Sequence, residues 1–359
     1  MIKLPATSSS TPSSRTLVGL DIEPGYVAAV EARVGDTIAI ERAATAQLEP
    51  GIVRDGEVTD PAALAGVLRA LFAEHKLPKR VRLGVANQRI VVRTVDLMPI
   101  EDPKAFAAAV RFQAQEHIPM PLDQAVLEHQ SLGLVDTPEG PRARVVLVAA
   151  RRDMIERLLG AARSAGLRPE GIDLSAFAMI RALQDGHSSA GHAVLYVNVG
   201  GMTNLALAEG TQCLFTRVVA MGSESFATAL AERRGLTLAH AHQWLRHAGL
   251  AEPVDDVDGD PAIVGEARSV LEEGVRRIGD DIRNSLDFFR AQSGTGAVQS
   301  ALLTGPGSAV PGFAERLAGE IGVPVSTGVV AEAKPGALGD VEPGRAVVAA
   351  GLAVEERAA

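Results

Sequence analysis

Residues 17–43, LVGLDIEPGYVAAVEARVGDTIAIERA, read as three short strands at about 16–22, 26–33 and 37–44, broken at Glu23-Pro24-Gly25 and at Gly35-Asp36. Proline presets a turn and glycine accepts the backbone angles that finish it, so the first break is tight. Residues 194–220, VLYVNVGGMTNLALAEGTQCLFTRVVA, repeat the plan. Both stretches run apolar strand, acid or amide, tight turn, strand, turn, strand. Asp21 then falls opposite Asn198, and the Glu23-Pro24-Gly25 turn opposite Gly200-Gly201-Met202. The identity between the copies is slight. A duplicated unit of three antiparallel strands followed by helices is nevertheless what a two-lobed cleft protein needs, and an α/β fold is expected.

Between and after the copies, strands and helices alternate. Asp60 can cap a helix over 61–75 that has Pro61 in its first turn. Strands follow at 81–86 and 90–97, then a helix at 102–117 that stops before Pro119. Strands at 125–134 and 143–150 precede a helix at 152–165 closed by Gly166. After the second meander come helices at 223–234 and 237–248, an acidic loop at 251–261 and a long helix over 262–291. A strand at 298–304, a helix at 311–321 and a strand near 323–327 complete the pattern.

Composition narrows the function. The 359 residues suffice for two domains or one bilobal one. Aromatic residues make up only 3%, which leaves no base-stacking platform, and the net charge of -9 opposes a phosphate backbone. Nucleic acid is therefore excluded as a partner. One cysteine, Cys213, rules out an internal disulfide framework and fits a reducing cytoplasm. No apolar run reaches the ~18 residues that span a bilayer. Residues 1–15, rich in Ser, Thr and Pro, read as a disordered tail and lack the apolar core of a secretory signal. The protein is expected in the cytoplasm, without direct membrane insertion, at the inner face of the membrane only through partners.

Three glycine-bearing turns follow strands. In Asp21-Ile22-Glu23-Pro24-Gly25 a strand-end carboxylate precedes a hairpin, so it can face a metal-bound phosphate while backbone N–H groups face the oxygens. In Asn198-Val199-Gly200-Gly201-Met202-Thr203 paired glycines allow close approach and the Thr203 hydroxyl can donate. In Thr304-Gly305-Pro306-Gly307-Ser308 a strand-to-helix turn can hold an adenosine ribose-phosphate. Each turn alone is weak. Together, in this order, they indicate a nucleotide cleft.

At this point the chain resembles the PilM family, actin-like cytoplasmic proteins of type IV pilus assembly, over roughly residues 16–357. The carriers are VGLDIEPGYVAAVEA (18–32), VRFQAQEHIPMPLDQAVLEHQSLG (110–133), YVNVGGMTNLAL (196–207), DDIRNSLDFFRAQ (280–292) and LLTGPGSAVPGF (302–313). Gln115 to Leu122 belongs to an extra lobe that sugar kinases of the same superfamily lack. The resemblance implies an actin-like ATPase fold: a duplicated sheet with helices in two lobes, 16–185 and 186–359, and an inserted extra lobe at about 90–170. It implies that Asp21 holds Mg²⁺ through water, that Gly200, Gly201 and Thr203 form the second phosphate loop, and that Gly305, Gly307 and Ser308 form the adenosine loop. Asp281 would face the adenosine, and Gly25, Asn198 and Gly222 join the nucleotide-contacting set. The implied cofactors are ATP and Mg²⁺. The implied partners are the cytoplasmic tail of PilN, an inner-membrane protein, and the pilus motor, with a homo-oligomer left open.

The chain departs from the family where phosphate chemistry is concentrated. Glu23-Pro24 replaces Gly-Ser, so a carboxylate enters the turn and one backbone donor is lost. Ala28 replaces a lysine, Asn198 an aspartate, and Asn284 an arginine. An asparagine can hydrogen-bond a water but cannot take its proton. Nucleotide binding is therefore expected to be weakened or lost, and hydrolysis is not expected.

Plainer readings exist for each residue. Asp21 can cap a hairpin through an Asx-turn and Asn198 can be a turn residue. His117 suits a helix C-terminus. His240 and His242, two apart, do not share a helix face. Asp255 to Asp260 lack the terminal glutamate of a calcium loop. The leading function is a cytoplasmic adaptor, not an enzyme, that grips a PilN-type tail. One alternative is an actin-like cell-division membrane tether, although GRAVVAAGLAVEERAA offers only Arg345 and Arg357 as bases for a membrane surface. The other is a small-molecule kinase, which needs a catalytic carboxylate where Asn198 stands.

Overall fold

The two copies of the strand plan become two sheets with one strand order. This is a computed structural model, and it describes residues 17–35, 37–138, 140–184, 192–293 and 298–354. The expected tail at 1–15 lies outside them. In chain order the elements begin with β1 (Val18–Glu23), β2 (Tyr26–Val34), β3 (Ile38–Gln47), β4 (Val53–Arg54), β5 (Glu57–Val58) and α1 (Pro61–Glu74). Next come β6 (Arg80–Val85), β7 (Val91–Leu97), α2 (Pro103–His117), β8 (Ala125–Thr137), β9 (Gly140–Arg151), α3 (Arg152–Ser164), β10 (Arg168–Leu174) and α4 (Ser175–Leu183). The second copy opens β11 (Ala193–Val199), β12 (Thr203–Glu209), β13 (Gln212–Val219), α5 (Ser223–Arg234), α6 (Leu238–Ala248) and α7 (Pro261–Ser293). The chain closes with β14 (Val298–Thr304), α8 (Phe313–Ile321), β15 (Val325–Thr327), β16 (Ala331–Glu332) and α9 (Pro343–Leu352).

The described residues up to 86 and from 161 onward form one compact unit, and those between 87 and 160 a second. In the larger unit one sheet runs β10-β6-β1-β2-β3-β16 and the other β13-β12-β11-β14-β15. Read from the meander outward, the orders match: β3-β2-β1-β6-β10 against β13-β12-β11-β14-β15. The meander pairs are antiparallel and the outer pairs parallel in both. β1 and β11 therefore sit mid-sheet, buried on both faces, which is why they read as nearly continuous apolar runs.

Alternation along each strand sorts the cores. Val197, Val199, Leu205 and Leu207 face α5, α7 and α8 through Phe226, Leu230, Leu271, Val275 and Phe313. Tyr196, Ala206 and Ala208 face the opposite way, into a cluster with Met179 of α4, Val347 and Leu352 of α9, and Tyr26, Ala28 and Val30 of β2. The two sheets thus share a core in which α4 and α9 are packed. The sequence reading left 168–183 without elements and grouped 331–354 with the second lobe. Instead, β16 pairs with β3, and α9 packs on β1, β2 and α4. Glycines make this possible. A Cβ on Gly19 would lie 1.8 Å from the Ala349 carbonyl oxygen, and one on Gly351 would lie 1.9 Å from that of Ala178.

In the smaller unit β7, β9 and β8 form an antiparallel sheet in that order. The Asp102 carboxylate accepts from the N–H groups of Lys104 and Ala105 and starts α2. Val110, Ala114 and Ile118 of this helix meet Val95, Val145, Leu147 and Ala149 of the sheet, and Met120 and Leu122 join them. The Gln115–Leu122 segment is thus the helix end and an apolar clasp. Among the described residues no helix is long and apolar enough to cross a membrane.

Because α9 meets β1 backbone to backbone, Gly19→Ala should be costly. The added methyl must push the helix away, and overpacking of this kind costs about 1–3 kcal/mol or more. Urea unfolding of the variant should show a lower midpoint with an unchanged slope; an unchanged midpoint would contradict the packing.

Candidate functional site

The β1–β2 turn lies directly against the β11–β12 turn. Asp21, Glu23 and Tyr26 share one face of the meander, since Asp21 pairs with Ala28 and Glu23 with Tyr26. All three side chains are buried. The Met202 N–H donates to Glu23 Oε2 at 3.3 Å. A Cβ on Gly201 would lie 2.2 Å from the Pro24 carbonyl oxygen, and one on Gly200 would lie 3.2 Å from both Glu23 Cδ and the Tyr26 hydroxyl. Gly201 has no room for a side chain, and at Gly200 the neighbouring side chains would have to yield.

The start of α5 supports the second turn from behind. The Gly200 carbonyl accepts from the Ser223 N–H and the Ser223 hydroxyl, both at 2.8 Å. Gly222 has no room for a side chain, because its Cβ would lie 2.4 Å from that same carbonyl oxygen. A Cβ on Gly25 would meet the Glu224 carboxylate at 2.3 Å, and Glu224 in turn contacts His242 of α6 at 3.1 Å.

The third turn closes on α9. The Gly305 N–H and the Thr304 hydroxyl donate to the Gly344 carbonyl, both at 3.2 Å, while Ser308 Oγ donates to the Gly305 carbonyl at 2.7 Å. A Cβ on Gly305 would lie 2.4 Å from Asn198 Oδ1, and one on Gly307 would lie 2.6 Å from Val199. Beside this turn a cavity of about 30 Å³ is lined by Phe226, Leu245, Phe313, His242, Arg246 and Arg345, among others. Glu342 joins its two arginines: it pairs with Arg246 and accepts from Arg345 Nε at 2.8 Å. The Arg345 guanidinium also stacks 4.5 Å above the Tyr26 ring.

Asp21, Gly25, Asn198, Gly200, Gly201, Gly222, Gly305, Gly307 and Ser308 are therefore gathered along one seam. Thr203 shares its strand face with Leu205 and Leu207, is fully buried, and its hydroxyl has no partner among the described residues. Asp281 is held elsewhere. Its carboxylate accepts from Arg217 of the edge strand β13 at 2.9 Å, and no described contact joins it to the third turn. The sequence reading did not place His242, Arg246, Glu342 or Arg345 at the site: the first two lie on α6, Arg345 on α9 and Glu342 just before it, with no motif spacing. Tyr26 stood in the quoted turn but carried no signal of its own.

Burial sets the electrostatics. Asp21 is pushed up to about 7 by burial, against the Ser175 hydroxyl, which donates to it at 3.4 Å. Glu23 is raised well above the usual carboxyl range by burial and then by the Asp21 charge, opposed by the Met202 N–H. Tyr26 is raised as well, by burial and the two acids, with Arg345 opposing. Asp21 Oδ2 and Asn198 Nδ2 have no partner among the described residues.

A nucleotide with Mg²⁺ does not fit these residues as packed. The Met202 N–H of the second turn already has an acceptor in Glu23. Pro24 fills the space in front of Gly201. The obstacle is occupancy, since Glu23 and Pro24 stand in contact with the second turn.

Fold and seam together define a protein of the actin-like ATPase fold. The chain belongs to the family of type IV pilus assembly protein PilM, whose profile matches residues 19–334. The structure of a PilM–PilN type IV pilus biogenesis complex is similar at 27% identity and a TM-score of 0.79, covering 95% of this chain and 98% of that one. Ethanolamine utilization protein EutJ from Carboxydothermus hydrogenoformans shares the fold at 16% identity and a TM-score of 0.54, over 96% of this chain and 90% of its own. MreB5 of Spiroplasma citri bound to AMPPNP shares it at 12% identity and a TM-score of 0.54, over 95% of each chain.

Asp21 predicts a pH dependence. The folded chain holds this proton more tightly than the unfolded chain, so the stability it contributes is complete below the ordinary value of 3.8 and is lost as pH rises through about 7. Asp21→Asn, which cannot ionise, should gain on the parent by a few kcal/mol between pH 4 and pH 8. Urea melts across that range check this, and a difference that does not change with pH would refute it.

Proposed function

We propose that this chain is an adaptor of type IV pilus assembly, or of a related secretion machine, that grips the cytoplasmic tail of an inner-membrane PilN-type protein. The carrying observation is the near-complete match to a PilM–PilN complex. It sits with the PilM family membership of the chain. The compact unit of residues 87–160, with the Gln115–Leu122 clasp at its core, is read as the family's extra lobe. The protein works at the inner face of the cytoplasmic membrane, held there by its partner and passing its position to the pilus motor.

Turnover of ATP is not part of this role. Asn198, buried and carrying an amide where a base would stand, has no means of taking a proton from water. The same substitution speaks against the kinase reading. Glu23 and Pro24 make the first turn a poor seat for Mg²⁺-ATP.

Titration of a labelled peptide carrying the cytoplasmic tail of the cognate PilN should give saturable binding, with no ATP hydrolysis above the buffer rate. Absence of peptide binding at high concentration would end the adaptor reading. Phosphoryl transfer to a sugar or acetate panel would favour the kinase.

A further inference from the structure

We propose that Glu23 is the resident occupant of the phosphate seat, so that the chain closes its own nucleotide cleft with a side chain in place of a phosphate. This deepens the cleft reading above and rests on it. The geometry makes three independent points. The Glu23 carboxyl accepts the Met202 N–H at 3.3 Å. Glu23 is only 2% exposed, and the Tyr26 hydroxyl and Gly200 lie beside it. The residue after it, Pro24, places its carbonyl against Gly201 and offers no N–H of its own. The two turns thus meet in direct contact.

Occupancy and charge make opposite predictions for one variant. If Glu23 excluded nucleotide by negative charge, Glu23→Gln would admit it. If Glu23 excludes by filling the seat, the amide oxygen of Glu23→Gln still accepts the Met202 N–H and the cleft stays shut. Only a shortened side chain, as in Glu23→Ser, frees the turn. The Met202 N–H bonded to Glu23 and the Pro24 carbonyl lying against Gly201 put this chain in the second case.

The seat also accounts for the pairing around it. Arg246 and Arg345, the cations lining the adjoining cavity, are both engaged by Glu342. His242 is engaged by Glu224, whose carboxylate lies against Gly25. The two arginines an incoming polyphosphate would seek are thus matched by Glu342 of the chain itself.

The test titrates a fluorescent ATP analogue with Mg²⁺ into the full chain and the two variants. The parent and Glu23→Gln should show no binding up to millimolar ligand. Glu23→Ser should gain saturable binding, tighter than the parent by at least about tenfold. Binding by Glu23→Gln equal to that of Glu23→Ser would overturn occupancy in favour of charge, and no gain in folded Glu23→Ser would overturn it outright. Amide exchange of the parent needs no variant: Met202 should be protected equally with and without Mg²⁺-ATP, and rapid exchange there would also sink the proposal. PilN-tail binding measured on the same samples separates the two readings. A tail that binds while Glu23→Ser stays inert leaves the adaptor standing alone, and the reverse leaves only the occupied seat.

Discussion

The contact between the β1–β2 and β11–β12 turns is the constraint on which the rest of the larger unit depends. It joins the ends of two central strands, one from each sheet, through Pro24 against Gly201 and Glu23 against Met202. Every neighbouring glycine serves the same approach. Gly222 lets α5 reach the second turn, Gly305 lets the third turn reach Asn198, and Gly344 lets α9 reach Gly305. A single methyl at any of these points forces backbone to move, and close-packed interiors yield little.

From this constraint follows the burial of unusual groups. Two carboxyls and a tyrosine in one enclosed face are costly unless they are neutral or bonded. The protein meets that cost partly by proton uptake and partly by the Met202 N–H and the Arg345 guanidinium. Asp21 Oδ2 and Asn198 Nδ2 are left unmatched in the same seam.

Much of this was legible in the sequence, for physical reasons. The duplicated meander was visible because central strands are apolar on both faces and their turns carry Pro or Gly. The segment Gln115–Leu122 stood out in the sequence only through its resemblance to the family, and in the structure Ile118, Met120 and Leu122 pack on the sheet of the smaller unit. The shared core was not. Residues 343–352 of α9 are buried almost all round, so they show no amphipathic period, and the short α4 is similar. The pairing of Glu342 with Arg246 joins residues ninety-six positions apart, and no local spacing announces it. Asp281 illustrates the converse: its motif was plain, but the fold gives its carboxylate to Arg217.

Closure by a side chain and closure by a ligand differ in what they respond to. A bound nucleotide stabilises the closed form by an amount that rises with its concentration and vanishes when it is absent. A resident carboxyl, as proposed for Glu23, is always present, and a form closed in that way would not report the nucleotide pool. An engine needs that report, since its cycle consists of opening and closing on turnover. A scaffold that holds a partner tail needs the opposite: lobes whose arrangement does not change while the partner is gripped. Glu23, buried, and Pro24, against Gly201, hold the two turns together in the way the proposed scaffold role asks.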